Sequence, residues 1–330
     1  MEHRDVTDTD HRHVREAGRA TGADNDGMRS DLRRLAARLP HAPGVYRFRD
    51  ARGRVLYVGR ATELRARVAS YGGDLGDRRH LQRMVPQVTR VEAVECDSVH
   101  EAAWLERNLL EEALPRWNRT AGGEEVPAYL RLDARPATAG LRLTHEAGRP
   151  AAGVRIFGPY LGGTRTRLAI SALHRVHPLA AAGSALTGAE RELAARRGVN
   201  AADREQLGEA VAAVLRRDPA AVATARQELE RVRDRAAAAL AFELAGRVQE
   251  ELRALAWVTA PQQVTTLEPA DLTVRGWADG WLVSFAVRSG RVRSWQQRRC
   301  ARPPQEPPAG WARFARRNAE LAAALARPAA

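Results

Sequence analysis

Two short apolar runs, Gly44-Val45-Tyr46 and Leu56-Tyr57-Val58-Gly59, flank the polar stretch Asp50-Ala51-Arg52-Gly53. Each short apolar run suits a strand, and Asp and Gly suit a tight connection, so the pattern predicts a hairpin. A helical period follows. Leu64, Val68 and Tyr71 share one helical face, and arginines occupy the other, which predicts a helix directly after the second strand. A short amphipathic helix over residues 32–39, stopped by Pro40, precedes the hairpin, and a second helix over 78–85, ended by Pro86, follows the arginine helix.

Residues 89–96 alternate and predict a third strand, with Val91 and Val94 on its apolar side. A strong helix is expected over 98–114. Ser98 stands at its N-cap, Glu101 at the capping-box position, and Ala102, Leu105, Leu109 and Ala113 on one face. Pro115 ends it. Beyond that point the signal thins. Short strands are expected at 129–132 and 154–157, a turn at Phe157-Gly158-Pro159-Tyr160, and a helix over 164–177 closed by Pro178. Residues 180–220 read as Ala-rich helix broken by Gly198 and Pro219, and 222–255 as a two-helix pattern. Residues 264–295 alternate as strands, with Asp279-Gly280 and Ser289-Gly290 as hairpin turns. A Pro-rich linker at 303–308 leads to a terminal helix over 311–325. Residues 1–30 have almost no apolar period and are expected to be disordered; Met28 is an alternative start to Met1. His3, His11 and His13 in that tail read as solvated rather than metal-binding.

Composition adds three constraints. The 330 residues carry 53 basic against 40 acidic side chains, net +13, and every basic residue other than histidine is arginine. Such a surplus attracts polyanions with an affinity that falls as salt rises. Two distant cysteines, Cys96 and Cys300, offer no disulfide framework and fit a reducing compartment. No run of apolar residues is long enough to span a membrane, and no apolar signal region opens the chain, so a soluble cytoplasmic protein is expected.

The stretch from Gly44 to Tyr71 gathers groups suited to a phosphodiester. Tyr46 and Tyr57 supply phenolic oxygens, whose usual pKa of about 10 requires nearby cations before either serves as a base. Arg67 can grip a phosphate with two donors, and the Glu106 carboxylate can hold a hard divalent cation. Trp281, Trp295 and Trp311 are read as packing residues rather than base-stacking ones.

These residues carry a resemblance. The triplets Gly44-Val45-Tyr46 and Tyr57-Val58-Gly59, then Arg67, Tyr71, Glu106 in AAWLERNLLEEALPRWN, and Asn118, are similar in kind and spacing to the GIY-YIG nuclease family and, within it, to the N-terminal half of the bacterial excinuclease subunit UvrC. The resemblance implies an α+β fold: a small domain of about three antiparallel strands flanked by helices, here followed by a helical hairpin and a short β segment. It implies Tyr46, Tyr57, Arg67, Glu106 and Asn118 as catalytic residues, with Gly59, Arg60 and Tyr71 supporting. It implies one divalent cation, Mg²⁺ or Mn²⁺, on Glu106, and leaves Tyr46 and Tyr57 both open as the base. Residues 236–255 resemble the UVR motif, a helical hairpin that pairs with UvrB, through Leu240, Phe242, Glu243, Ala245, Val248 and Leu252; of these Leu240, Phe242, Glu243, Val248 and Leu252 are the expected partner-binding residues.

Three departures from that family stand out. Arg60 replaces the usual lysine, Gly123-Glu124-Glu125-Val126-Pro127-Ala128-Tyr129 replaces an Asp-Asp-Lys run, and no cysteine cluster follows His177, so no iron–sulfur cluster is expected. The second nuclease domain and the helix-hairpin-helix module of UvrC are expected to be absent, as in the stand-alone homologue Cho. The implied organisation is a tail (1–30), a GIY-YIG domain (31–120), a UvrC-like extension (121–180), a helical linker (181–220), the UVR-like hairpin (221–257), a small β segment (262–300), and a linker with terminal helix (301–330). The implied activity is incision of damaged double-stranded DNA on the 3′ side of a lesion in a complex with UvrB. The alternatives are a non-cutting UvrB- or DNA-binding relative, and a nuclease acting outside excision repair.

Overall fold

The computed structural model describes residues 30–73, 75–76, 78–122, 125–148 and 151–327. The expected tail before Ser30, with its histidines and Met28, and Gly123-Glu124 of the departing segment lie outside the described residues. The chain divides into two units. The first runs to residue 123 and resumes over 272–287 and 292–330; the second comprises 124–271 and 288–291.

In the first unit, helix α1 (residues 30–36) buries Leu32 and Ala36. Strands β1 (Gly44–Arg49) and β2 (Val55–Ala61) pair antiparallel with Tyr46 opposite Gly59 and Phe48 opposite Tyr57. Their turn is held by Asp50, whose Oδ1 accepts from the backbone of Arg52 (3.0 Å) and Arg54 (2.9 Å), while Gly53 takes φ +76°. Helix α2 (Leu64–Ala69) follows, capped by the Glu63 carboxylate on Ala66 N, and runs into a 3₁₀ turn that buries Tyr71. Helix α3 (Arg79–Met84) leads to β3 (Arg90–Glu95), which pairs with the free side of β1 to give the order β2-β1-β3. Helix α4 (Val99–Glu112) starts at Ser98, whose hydroxyl accepts from Glu101 N, while the Glu101 carboxylate accepts from Asp97 N. Ala102, Leu105 and Leu109 are buried as expected; Ala113 is not, because it is the extended C-cap residue and lies in solvent.

The same unit takes in the end of the chain. Strands β7 (Leu272–Ala278), β8 (Trp281–Arg288) and β9 (Arg291–Arg299) form a meander in the order β7-β8-β9. Both expected hairpin turns are present, with Asp279, Gly280, Ser289 and Gly290 all at positive φ. Residues 264–271, expected to alternate as strand, enter no named strand; Thr265 makes an isolated bridge to Arg291. Helix α10 (Ala312–Ala326) lies on β7 so closely that a Cβ on Gly276 would run into the Ala315 carbonyl. Its Leu321 and Leu325 join the core that holds Tyr46, Phe48 and Tyr71. Residues 272–287 and 292–327 therefore belong to the same unit as β1–β3.

The second unit has its own sheet, β5-β4-β6, from β4 (Pro127–Asp133), β5 (Gly140–Thr144) and β6 (Val154–Leu161). Phe157-Gly158-Pro159-Tyr160 is strand, not turn. The pairing steps from Leu130–Phe157 to Ala128–Tyr160, so an irregularity takes up the Gly-Pro pair, whose peptide bond is cis, without ending the strand. Strand β5 was not foreseen; it is short and opens on a glycine. Helix α5 (Gly163–Val176) precedes α6 (Gly188–Arg196) and α7 (Arg204–Leu215). Those last two occupy the segment expected as a linker, and Val211, Ala212, Val214 and Leu215 are buried in this unit's core. Helices α8 (Pro219–Ala238) and α9 (Phe242–Val258) form an antiparallel hairpin turned at Leu240, φ +57°. The buried Glu251 of α9 accepts from Arg175 Nε (2.6 Å) and Nη2 (2.9 Å) and from Ser171 Oγ (2.7 Å), which ties the hairpin to α5. Among the described residues no helix is long and apolar enough to cross a membrane.

Candidate active site

The period of β1 sorts its side chains between two faces of the sheet. Tyr46 and Phe48 point to one face; Val45, Arg47 and Arg49 point to the other. On the first face the hydroxyls of Tyr46 and Tyr71 meet at 2.7 Å, and Arg67 Nε donates to Tyr46 Oη at 3.2 Å. The Arg67 guanidinium also stands 5.3 Å from the centre of the Tyr71 ring. Tyr57 adds its ring 6.2 Å from Tyr46 and 6.3 Å from Tyr71. Gly59 makes this packing possible: a Cβ there would lie 2.5 Å from Tyr46 Oη and 2.7 Å from Tyr57 Cε1. The second triplet thus ends on glycine for a steric reason, and the sequence alone did not contain that reason.

Burial pushes the Tyr46 hydroxyl well above its usual pKa, with Tyr71 and Tyr57 adding to the shift and Arg67 opposing it without prevailing. Burial likewise raises Tyr57, reinforced by Tyr71 and the Glu106 carboxylate. Burial works against the charge on Arg67, but Tyr46, Tyr71 and Tyr57 outweigh it and raise its pKa. Both phenols are therefore protonated at neutral pH in the protein alone. Either becomes a base only when further positive charge arrives.

Glu106 sits on α4 beside the end of β2. Its Oε1 accepts from the backbone N–H of Arg60 at 3.1 Å, and its Oε2 pairs with Arg60 Nε at 3.3 Å. The Glu106 side chain retains 21% exposure, so the carboxylate can be reached from solvent. Among the described residues no group of three or more His, Cys, Asp or Glu side chains could form a closed metal cage. One hard carboxylate with solvent access fits a divalent cation that takes the rest of its shell from water and phosphate, as Mg²⁺ and Mn²⁺ do.

Asn118 uses both ends of its amide on β2: Oδ1 accepts from Val58 N at 3.0 Å and Nδ2 donates to Val58 O at 2.8 Å. It holds the outer edge of the strand that carries Tyr57 and Gly59.

The opposite face holds a cluster that the pattern did not reveal. Buried Glu92 receives Arg47, Arg49 (2.9 Å) and Arg90 (2.9 Å). Arg47 also donates to the Trp295 carbonyl at 2.9 Å and lies 3.8 Å over the Trp295 ring. Burial alone would raise the Glu92 pKa; the three arginines overcome it and hold the carboxyl below the usual range, while burial lowers Arg47 to about 10. The available signal was the register: Arg47 and Glu92 are direct partners across β1 and β3.

The expected partner-binding residues fall into two groups. Leu240 and Phe242 are 73% and 67% exposed at the tip of the α8–α9 hairpin, next to exposed Glu243 and Leu244. Val248 and Leu252 are core residues of the second unit and cannot face a partner while that unit is folded.

With this geometry in place, the class can be stated. Residues 42–119 match the model of the UvrC-like GIY-YIG domain, and the chain carries a domain of that class. The wider likeness is to UvrABC system protein C. The protein of that name from Geobacter metallireducens is 36% identical over 142 residues, 43% of this chain and 23% of the relative. The one from Thermobifida fusca is 30% identical over 289 residues, 81% of this chain and 43% of the relative. Among solved structures, the GIY-YIG N-terminal endonuclease domain of UvrC from Thermotoga maritima, bound to magnesium, is 28% identical and covers 27% of this chain and 97% of its own, with a TM-score of 0.25. The chain spans less than half the length of the curated relatives it matches.

Proposed function

We propose that this protein is a metal-dependent DNA endonuclease of nucleotide excision repair, hydrolysing a phosphodiester on the 3′ side of a lesion while docked to UvrB on damaged double-stranded DNA. The observation that carries the reading is the Tyr46–Tyr71–Arg67 hydrogen-bonded group on β1, α2 and the 3₁₀ turn after it, inside a UvrC-like GIY-YIG domain that also presents Glu106.

In this mechanism Arg67 binds a non-bridging oxygen of the scissile phosphate and opposes the charge that develops there. Tyr46, held by Arg67 and Tyr71, and the less buried Tyr57 are the two groups able to orient the attacking water and take its proton. Their raised pKa values mean that proton transfer depends on the positive charge gathered around the phosphate. Glu106 and solvent would hold one Mg²⁺ or Mn²⁺, which supplies Lewis-acid stabilisation to the phosphate and leaving oxygen. Asn118 and Gly59 keep β2 in place.

The exposed Leu240, Phe242, Glu243 and Leu244 at the hairpin tip offer a compact apolar surface for UvrB. Both cysteines are free, which is compatible with a reducing, cytoplasmic site of action. The test is incision of an end-labelled duplex carrying a single lesion, with UvrA, UvrB, ATP and Mg²⁺. A single cut 3′ to the lesion, lost in Glu106→Gln, supports the reading; equal cutting by wild type and Glu106→Gln removes it.

One observation favours a second reading, a UvrB- or DNA-binding protein that does not cut: the Arg60 side chain stands on the only carboxylate assigned to the metal. Stable binding to UvrB and DNA with no metal-dependent product would select it.

A further inference from the structure

Arg60 engages both oxygens of Glu106, one through its backbone N–H and the other through its guanidinium. The two contacts differ in consequence. The backbone N–H is neutral, so it orients the carboxylate without opposing the charge of a cation. The guanidinium carries a full charge 3.3 Å from Oε2, and a dication on the same carboxylate would meet it at short range. A cation therefore gains the full attraction of Glu106 only after the guanidinium has moved off.

The Arg60 side chain is 41% exposed, on a residue at the end of edge strand β2, so solvent and a nucleic-acid backbone can reach it. A guanidinium leaving a carboxylate needs another planar anion, and a phosphodiester provides the best match in shape and charge. Arg67, held in the aromatic group, marks where a phosphate would lie on the same domain.

We propose that Arg60 is a latch on Glu106, closed when neither cation nor nucleic acid is bound and opened when a phosphodiester takes the guanidinium, so that divalent-cation binding and DNA-backbone binding favour one another. The proposal rests on the reading of Glu106 as the metal-holding residue. By linkage the coupling is reciprocal: duplex raises cation affinity by the same factor as cation raises duplex affinity. Away from DNA the protein thereby loads a cation less readily. Arg60 is a positioning residue in this scheme, acting through Glu106.

The experiment measures Mn²⁺ affinity of the full chain by calorimetry and by the loss of the free-ion electron paramagnetic resonance signal, with and without a short undamaged duplex that stays intact. Wild type, Arg60→Gln, Arg60→Ala and Glu106→Gln are compared, each first shown to unfold at the wild-type temperature. Without DNA, Arg60→Gln and Arg60→Ala should bind Mn²⁺ about 3- to 5-fold more tightly than wild type, the range expected of a partly exposed ion pair. Duplex should tighten Mn²⁺ binding in wild type by a larger factor than in either Arg60 variant. Unchanged affinity in both Arg60 variants, with binding lost in Glu106→Gln, overturns the latch and leaves the assignment of Glu106 standing. Binding retained in Glu106→Gln removes that assignment and the latch with it.

Discussion

Asn318, on the last helix of the chain, pairs with both backbone groups of Glu95 on β3: its Oδ1 accepts from Glu95 N at 2.7 Å and its Nδ2 donates to Glu95 O at 3.1 Å. Asn118 does the same to Val58 on β2. The sheet has the order β2-β1-β3, so a side-chain amide closes each of its two edges. Replacing Asn318 with Leu keeps its bulk but leaves the partly buried Glu95 N–H without its amide partner, while Glu95 O keeps the bond from Arg317 at 3.0 Å. The expected loss is about 1–3 kcal/mol of stability, read by urea unfolding. Removal of residues 272–330 should cost the first unit more than this substitution does, since Leu321 and Leu325 leave its core as well.

The Glu92 cluster predicts an acid-dependent stability. The folded-state pKa of Glu92 is depressed, so its contribution is present above the unfolded value of about 4.3 and is lost as pH falls through the lower folded value. Glu92→Gln leaves the buried Arg47 guanidinium without its carboxylate and should cost about 3–5 kcal/mol at neutral pH. The gap between variant and wild type should narrow as the pH is taken below about 4. Unfolding curves at neutral and acidic pH check both statements; a gap that does not change with pH would contradict them.

Activity at the tyrosine group should be more sensitive than folding. Tyr46→Phe removes only the hydroxyl that Arg67 and Tyr71 share, and should lower the incision rate by roughly 10²-fold or more with the thermal midpoint little changed. Gly59→Ala should act on the same hydroxyl by displacing it, with at least about 10-fold loss in rate. Single-turnover incision and circular dichroism melting separate the two effects.

The helical hairpin should divide sharply between surface and core. Leu240→Ser with Phe242→Ser should weaken UvrB binding at least about 10-fold while the second unit melts normally, because both side chains lie mostly in water. Val248→Ser should instead unfold that unit by about 2–4 kcal/mol, because it opens a cavity and buries a hydroxyl. Affinity by biolayer interferometry and melting temperature, measured on the same samples, check the contrast.

Local pattern was enough for much of this protein. The apolar runs at 44–46 and 56–59, the hairpin turns at Asp279-Gly280 and Ser289-Gly290, and the cap at Ser98 are each decided within a few residues, because strand, left-handed turn and helix cap are short-range requirements. The kinds and spacing of Tyr46, Tyr57, Arg67, Glu106 and Asn118 were likewise readable in order along the chain. What they touch was not. That Arg60 stands on Glu106, that Asn118 grips Val58, and that Val248 faces a core depend on which elements pack together. So does the return of residues 272–287 and 292–327 to the first unit, where Trp295 covers Arg47 and Asn318 closes β3. Those contacts join positions that no periodicity relates, and they form because a three-stranded sheet with two open edges and a buried charge is stable only when distant parts of the chain supply the missing partners.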